Sequence, residues 1–258
     1  MRFILAFARI LLVFSIILFG VCLLAVMMPF SSRRLAHTVF LRLKGVLLWV
    51  VGVRVHGPSF DHMEPGMIMA NHRSYLDILF IPSTALFTIV GKVEVRSWPI
   101  IGWAARALGV IWVKRESKES RKKTKDYIVK SMHAGQTVVL FPEGTSGEGP
   151  LMYPLKPGMF FECAAHNFPI YQWSLHFDNA KTAFPPGIPF MKHLWTLCKE
   201  SRINAYIGLR EAPLRGNDGD VMLEEATKWW NTSLASLNER YPAKNAGYWP
   251  DARVSELS

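Results

Sequence analysis

The stretch Met67-Ile68-Met69-Ala70-Asn71-His72-Arg73-Ser74-Tyr75-Leu76-Asp77 indicates a buried strand that turns at once into a helix. Its first four residues are apolar, and Ser74 is a residue type that commonly caps a helix N-terminus. His72 then ends the strand, and Asp77 lies in the first turns of the helix, close enough to accept the ring N–H of His72. The pair predicts a general base; a capping histidine with a helix-start aspartate is the alternative.

A second stretch has the same layout further along the chain. Thr137 to Phe141 is typical of a buried strand, and Pro142-Glu143-Gly144-Thr145 breaks it. Open α/β sheets place their sites at strand carboxyl ends, so we expect the two motifs at one edge of the sheet. Glu143 is a candidate for binding substrate hydroxyl groups, and Gly144 and Thr145 for bringing backbone N–H groups near an oxyanion or phosphate. A tight turn with a solvated glutamate is the alternative.

The histidine pattern alone is weak, because the chain contains His-x4-Asp twice. His56 and Asp61 also match it, but Gly57-Pro58 follows His56 and favours a turn. Only His72 ends an apolar run and precedes a helix cap. The sequence context therefore favours the pair His72 and Asp77.

The rest of the chain alternates strand patterns with helix patterns, as is typical of an α/β sheet covered by helices. Strands are predicted at residues 52–55, 67–70, 87–90, 110–113, 137–141, 170–175 and 204–209. Helices are predicted at residues 74–83, 98–108, 118–133, 158–166 and 221–239. Prolines mark loops at residues 150–157 and 182–189. We expect membrane-anchoring helices at 1–50, an α/β domain at 51–240 and a loosely held tail at 241–258.

The N-terminal segment from Ile10 to Phe30 contains no charged residue. As a helix it is roughly 30 Å long, the thickness of a hydrocarbon core. A cleaved signal peptide is the alternative, but its apolar region is shorter and this segment lacks an Ala-x-Ala site. Leu35 to Val51 predicts a second helix, which either lies in the interface or returns as the second arm of a hairpin. Basic residues after the span favour a membrane protein whose α/β domain faces the cytoplasm.

The composition limits the partners. A formal net charge of +10 favours an anionic bilayer surface, phosphate-bearing substrates or acidic proteins. The basic residues form no recognisable reading motif for nucleic acid, so we do not expect that partner. Cys22, Cys163 and Cys198 have no C-x-x-C spacing, which argues against a disulfide framework and a zinc site. We expect reduced cysteines and no bound metal.

In this order and at this separation, the two motifs resemble those of the lysophospholipid acyltransferase family, of the 1-acylglycerol-3-phosphate acyltransferase type. The segment between them, from Lys92 to Arg115, resembles the family's phosphate-binding block, in which the arginine at the position of Arg115 contacts the acceptor's phosphate. Phe168-Pro169-Ile170 resembles the fourth block of the family. Lys156 and Gly158 match a basic residue and a glycine that follow the glutamate motif.

The resemblance implies a single mixed β-sheet covered by helices, similar to glycerol-3-phosphate acyltransferase. It also implies that a fatty acyl group passes from acyl-CoA or acyl carrier protein to the free hydroxyl of a lysolipid, without a cofactor. The first acceptor to expect is 1-acyl-sn-glycerol-3-phosphate, which gives phosphatidate. His72 is then the base that Asp77 orients. The residues implied in substrate binding are Lys92, Arg115, Glu143, Gly144 and Thr145.

One departure leaves the acceptor open. The commonest family form follows the glutamate motif with an arginine, whereas this chain has Ser146-Gly147. The serine-glycine form resembles bacterial branches that acylate lyso-ornithine lipid as well as lysophosphatidate. A transacylase that moves acyl groups between phospholipids and a non-catalytic membrane protein that binds lipid are the other functions that the sequence allows.

Overall fold

The computed structural model describes residues 2–27, 33–58, 64–80, 87–149 and 152–249. Parts of several predictions lie outside these residues. They are the end of the apolar segment at Phe30, Asp61 of the second His-x4-Asp pattern, residues 81–83 of a predicted helix, the loop residues 150–151 and the tail beyond residue 249.

A seven-stranded mixed sheet forms the centre of the described chain. Its strands are β1 (Val53–His56), β2 (Met67–Ala70), β3 (Phe87–Lys92), β4 (Ile111–Val113), β5 (Thr137–Leu140), β6 (Ile170–Phe177) and β7 (Ile203–Leu209), in the spatial order β1-β7-β6-β2-β5-β3-β4. The strands from β6 to β4 in that order are mutually parallel, whereas β7 is antiparallel to β6 and β1 is parallel to β7. The predicted strands and the predicted mixed sheet are confirmed.

Helices cover the sheet. They are α3 (Ile101–Ala107), α4 (Lys118–His133), α5 (Gly158–His166), α6 (Phe190–Cys198) and α7 (Gly219–Arg240). The helix predicted at residues 74–83 is present over Tyr75–Phe80, where it is a 3-10 helix. The sequence analysis does not predict α6, although that helix buries an amphipathic face that includes Leu194 and Leu197.

Each face of the sheet carries its own hydrophobic core. In β2, Ile68 and Ala70 point to the face covered by the N-terminal helices, while Met67 and Met69 point to the face covered by α4, α5 and α7. Because both faces are covered, β2 is apolar at every position instead of alternating with polar residues. This explains the continuous apolar run that precedes His72.

The N-terminal segment forms two helices, α1 (Arg2–Met27) and α2 (Arg33–Val51). Within α1, Arg2–Val26 has a mean hydropathy of 2.7, and only 17% of its most apolar window is buried. By length and composition it can cross a membrane, and its low burial distinguishes it from the core helix of a soluble protein.

The pair of helices lies along the α/β domain. Near the start of α1, Ala6 packs against α6, and near its end Leu24 packs against Leu108 after α3. The guanidinium of Arg9 donates to the backbone carbonyls of three residues at the end of α6, namely Cys198, Glu200 and Ser201. Helix α1 therefore contacts the domain near both of its ends.

The first part of the C-terminal tail is packed, as far as residue 249. Trp249 is 7% exposed, and its ring stacks on His193 with 5.6 Å between the ring centroids. The backbone carbonyl of Lys244 accepts a hydrogen bond from Ala180. Residues 241–249 thus contact the domain at Lys244 and Trp249, although most of the residues between are exposed.

Candidate active site

Four residues that the sequence predicts for the site follow the ends of four neighbouring parallel strands. His72 follows β2, Glu143 follows β5, Lys92 ends β3 and Arg115 follows β4. Since these strands are adjacent in the order β2-β5-β3-β4, the four residues share one edge of the sheet. We call it the carboxyl edge. This is where an open α/β sheet places its ligands.

Asp77 holds the imidazole of His72 through a 2.8 Å contact between Oδ2 of Asp77 and Nδ1 of His72. The same oxygen accepts backbone N–H bonds from Arg73 (2.6 Å) and Ser74 (2.8 Å). Because a carboxylate oxygen accepts, the ring proton belongs on Nδ1, and Nε2 carries the lone pair. The Asp77 side chain is fully buried and that of His72 is 17% exposed. The structure thus contains the predicted pair, and its catalytic role stays a prediction.

Local contacts explain the sharp turn after β2. The side-chain amide of Asn71 bonds both backbone groups of Leu175, which extends the pairing of β2 with β6 by one residue. The ring of His72 stacks on Phe141, with 4.2 Å between centroids and 16° between planes. Two backbone N–H groups of the turn are used by Asp77, which accounts for the short 3-10 helix.

Glu143 contacts the main chain of the histidine motif. Its Oε1 accepts from the backbone N–H of His72 (2.6 Å), and its Oε2 accepts from that of Tyr153 (2.7 Å). The guanidinium of Arg73 lies 3.7 Å from Oε2. Burial raises the pKa of Glu143, and Arg73 with the two backbone N–H groups opposes that shift. The predicted contact of Glu143 with an acceptor stays a prediction; here both of its carboxylate oxygens accept bonds from the protein.

Gly144 and Thr145 form the turn after Glu143. Gly144 has a φ of +73°, a conformation that favours glycine, and its N–H donates to Phe141. Its N–H is therefore already used. Thr145 is partly exposed, and its backbone N–H makes no hydrogen bond to any residue in the part of the chain that the structure describes. Of the two predicted backbone donors, Thr145 is the one that remains for a ligand.

The two motifs are also connected through Arg73, Ser146 and Phe184, in contacts that the sequence analysis does not predict. The hydroxyl of Ser146 donates to the backbone carbonyl of Phe184, and the N–H of Phe184 donates to the carbonyl of Arg73 (2.8 Å). Phe184 thus joins the loops of both motifs through its main chain. In the sequence, only the charge of Arg73 within the histidine motif indicates such a contact. Ser146 and Phe184 are 38 positions apart, so no local pattern indicates that they meet.

Lys92 and Arg115 lie beside carboxylates. The ammonium of Lys92 is 3.5 Å from Oε1 of Glu94, and both side chains are largely solvent-accessible. Burial lowers the pKa of Arg115, while the charges of Glu94 and Glu116 oppose that shift. The sequence analysis predicts the two cations at this edge but neither carboxylate.

The second histidine pattern lies elsewhere. His56 ends β1, which runs antiparallel to β2, so its strand ends at the opposite edge of the sheet. Its ring stacks on Tyr206 and contacts the side-chain oxygen of Asn204 at 3.1 Å. Among the described residues, no three His, Cys, Asp or Glu side chains are grouped to hold a metal ion.

Comparisons with known proteins point to one family. The acyltransferase family model matches residues 52–175. The chain is 35% identical over 151 residues to the lyso-ornithine lipid O-acyltransferase of Rhizobium meliloti, covering 58% of this chain and 51% of the relative. It is 28% identical over 118 residues to the 1-acyl-sn-glycerol-3-phosphate acyltransferase of Neisseria meningitidis, covering 45% of this chain and 46% of the relative.

A solved structure has the same fold. The crystal structure of the 1-acyl-sn-glycerophosphate acyltransferase of Thermotoga maritima superposes with a TM-score of 0.69 and 17% sequence identity, covering 93% of this chain and 99% of the other. The chain spans about half the length of the two curated relatives. Over residues 52–175 this chain is therefore similar to acyltransferases, and its fold is that of the Thermotoga maritima structure.

Proposed function

We propose that this protein transfers a fatty acyl group from an acyl thioester to the free hydroxyl group of a lysolipid. The observation that carries the proposal is the 2.8 Å contact between Asp77 and Nδ1 of His72, which leaves Nε2 as the basic nitrogen at the carboxyl edge. An alcohol is too weakly acidic to attack a thioester unaided at neutral pH, so the reaction needs such a base. The match of residues 52–175 to the acyltransferase family model supports the same reaction class.

The proposed reaction proceeds through one tetrahedral intermediate. Nε2 of His72 removes the proton as the hydroxyl oxygen bonds to the thioester carbon, and Asp77 stabilises the imidazolium. The carbonyl oxygen becomes an oxyanion, for which the N–H of Thr145 is the proposed donor. The C–S bond then breaks, and the thiolate takes the proton from His72. The products are an ester and a free thiol, and His72 is neutral again.

Both acyl-CoA and acyl carrier protein are proposed donors, since each releases a free thiol, and no further cofactor is proposed. Acyl carrier protein is acidic, and the formal charge of +10 on this chain suits an acidic partner. Thiol release also separates this reaction from transacylation between phospholipids, in which no thiol forms.

Two acceptor classes remain in the proposal. Lys92 and Arg115 support a phosphate-bearing acceptor, 1-acyl-sn-glycerol-3-phosphate, which would give phosphatidate. Ser146, in place of the commoner arginine, supports an acceptor such as lyso-ornithine lipid. The name of one relative, a lyso-ornithine lipid O-acyltransferase, supports the second class as well.

We propose that the enzyme is bound to the membrane through the apolar surface of α1, with its site facing the cytoplasm. The exposed apolar side chains of α1 are Phe3, Ile4, Leu5, Phe7, Leu11, Leu12, Leu18, Phe19 and Val26. Such a surface supports contact with lipid rather than water. Membrane lipids are then the direct source of the acceptor.

The test uses purified protein in detergent, with lysophosphatidate and lyso-ornithine lipid each offered with acyl-CoA and with acyl carrier protein. We expect esterification and thiol release by the wild type. We expect His72→Ala to lower kcat by about 10² to 10⁴, because the base is lost. His56→Ala is the matched control, since His56 lies at the opposite edge of the sheet, and its turnover should equal the wild type.

Turnover that survives both His72→Ala and Asp77→Ala would refute the proposed chemistry. A wild type that binds lysolipid but never releases thiol would instead favour a non-catalytic lipid-binding protein.

A further inference from the structure

We propose that an exposed row of basic residues on α4 binds an acidic acyl carrier protein, which brings the acyl thioester to the carboxyl edge. The inference rests on the proposed acyl transfer and assigns its donor. Four basic side chains recur at helical spacing along one side of α4, and we call them the basic stripe. They are Lys118, Arg121, Lys122 and Lys125.

The stretch around the basic stripe carries half of the net charge of the chain. Residues 114–130 contain eight basic and three acidic side chains, so their formal net charge is +5, whereas that of the whole chain is +10. The acidic side chains are Glu116, Glu119 and Asp126. An excess of this size on one helix favours an anionic partner.

The protein's own carboxylates do not neutralise the stripe. Glu119 pairs with Lys123, which lies outside the stripe, and Glu162 of α5 pairs with Lys125. Lys118 and Lys122 are exposed and form no ion pair with any residue that the structure describes. The guanidinium of Arg121 donates to the backbone carbonyl of Arg115, which is a neutral group. Three of the four positive charges therefore remain for a partner.

The basic stripe does not stabilise α4. The first turns of a helix favour carboxylates over cations, because the free backbone N–H groups there carry partial positive charge. Like charges four positions apart on a helix repel, and both Lys118 with Lys122 and Arg121 with Lys125 have this spacing. The arrangement is therefore unfavourable for the helix itself, and an acidic partner would offset the repulsion.

The stripe leads to the glutamate motif. Its last residue, Lys125, is 2.7 Å from Glu162 of α5, and α5 begins two residues after Lys156. The backbone N–H of Lys156 donates to the carbonyl of Pro142 (2.8 Å), and a Cβ on Gly144 would lie 3.6 Å from Cγ of Lys156. The exposed Lys156 therefore continues the positive surface from α4 to the carboxyl edge, where a thioester must arrive.

The position of α4 in the fold favours a soluble partner over a membrane. Ile128 and Met132 of α4 pack on one face of the sheet, whereas α1 and α2 pack on the other. An enzyme that binds lipid through α1 therefore has the sheet between the bilayer and the stripe. The stripe is also about 10 Å long and lies on a convex helix surface. Such a row suits the acidic surface of a protein, whereas the phosphates of acyl-CoA need donors that converge in a concave site.

The experiment reverses two charges of the stripe in the double variant Lys118→Glu/Lys122→Glu. Carboxylates in the first turns favour the helix, so we expect the variant to fold, and thermal unfolding checks this. Values of kcat/KM are measured in detergent with the same acyl chain on acyl carrier protein and on CoA. We expect the variant to lower kcat/KM for acyl carrier protein by about tenfold, through KM, and that for acyl-CoA by less than about twofold. Added salt should lower the value for acyl carrier protein more in the wild type than in the variant, because salt screens exposed charges.

Lys130→Glu is the matched control. Lys130 is an exposed lysine of the same helix, but it lies in the last turn of α4, about 12 Å along the helix from Lys122. We expect this variant to keep the wild-type kcat/KM with both donors.

Equal losses with both donors in the double variant, or no loss with either, would overturn the inference. A loss with both donors that appears only on vesicles containing phosphatidylglycerol, and not on phosphatidylcholine alone, would show that the stripe binds lipid instead. A wild type that uses acyl-CoA but not acyl carrier protein would also overturn the inference, while His72-dependent turnover would still support the proposed acyl transfer. Absence of turnover with both donors would reject the proposed function and the inference together.

Discussion

At the scale of single residues, His72 is held at both its ring and its backbone. Asp77 binds the imidazole, and Glu143 binds the N–H of the same residue from a loop that is 71 positions away in the sequence. Two buried carboxylates therefore fix one base, and each accepts backbone N–H groups as well. A base held in this way keeps its nitrogen in place before the substrate arrives.

The prediction at this scale concerns the variant Glu143→Gln. A glutamine amide offers one oxygen where two backbone N–H groups need acceptors, so one of the N–H groups of His72 and Tyr153 loses its partner. We expect the free energy of unfolding to fall by about 1–3 kcal/mol and kcat to fall by at least about tenfold, with an unchanged KM for the acceptor. Steady-state kinetics and thermal unfolding measure both effects.

Glu162→Gln is the control for this prediction, because Glu162 forms a partly exposed ion pair with Lys125 away from His72. A raised KM for the acceptor with an unchanged kcat would contradict a positioning role. It would favour instead the direct contact of Glu143 with the acceptor that the sequence analysis predicts.

At the scale of elements, α6 packs against the histidine motif through its residue His193, which contacts Tyr75. Its residue His193 is fully buried, with Nε2 2.8 Å from the carbonyl oxygen of Ala183 and Nδ1 3.0 Å from the hydroxyl of Tyr75. Nε2 therefore donates and Nδ1 accepts. Burial lowers the pKa of His193 to about 4, so the ring is neutral at neutral pH.

The pH dependence of stability follows from this histidine. Between the ordinary pKa of 6.5 and the folded value of about 4, the unfolded state binds more protons than the folded state. We expect the stabilisation to be complete above pH 6.5 and to fall as the pH drops towards 4, by about 3 kcal/mol at most. Unfolding in detergent between pH 7.5 and 4.5 measures it. His193→Gln should flatten this slope, His56→Gln should not, and equal slopes in all three proteins would refute the assignment.

The elements show what sequence can and cannot predict here. The strands are predictable because both faces are covered, which leaves continuous apolar runs such as Met67 to Ala70. The pair His72 and Asp77 is predictable because the two residues are five positions apart. The bond of Glu143 to the backbone of His72 depends on strand order, because it joins the ends of two neighbouring strands, and no local pattern encodes strand order.

At the scale of the whole molecule, the beginning of α1 and the end of α2 both lie next to the α/β domain. Arg9 is bonded to the end of α6, and a Cβ on Gly52, just after α2, would lie 2.8 Å from the Arg9 guanidinium. The beginning of α1 and the end of α2 are therefore neighbours. A helix that crossed the bilayer once would separate them, so this contact favours a hairpin whose two ends lie on the side of the domain.

The prediction at this scale concerns sidedness. In a Cys22→Ser background, Arg2→Cys before α1 and Asn217→Cys on the domain should react equally with a membrane-impermeant maleimide in sealed vesicles. Cys163 and Cys198 are fully buried and should stay unlabelled. Labelling of positions 2 and 217 from opposite sides would show that α1 crosses the bilayer once, and that the Arg9 contact is absent there.

The main chain of Phe184 has a consequence for protein engineering. Replacing Ser146 by the commoner arginine, to gain a phosphate ligand, would remove the hydroxyl donor to Phe184 and bring a longer side chain to a loop junction. Because Phe184 also bonds Arg73, the disturbance would reach the segment that carries the base. Redesign of acceptor choice at position 146 would therefore disturb both loops, because each of them is bonded to the main chain of Phe184.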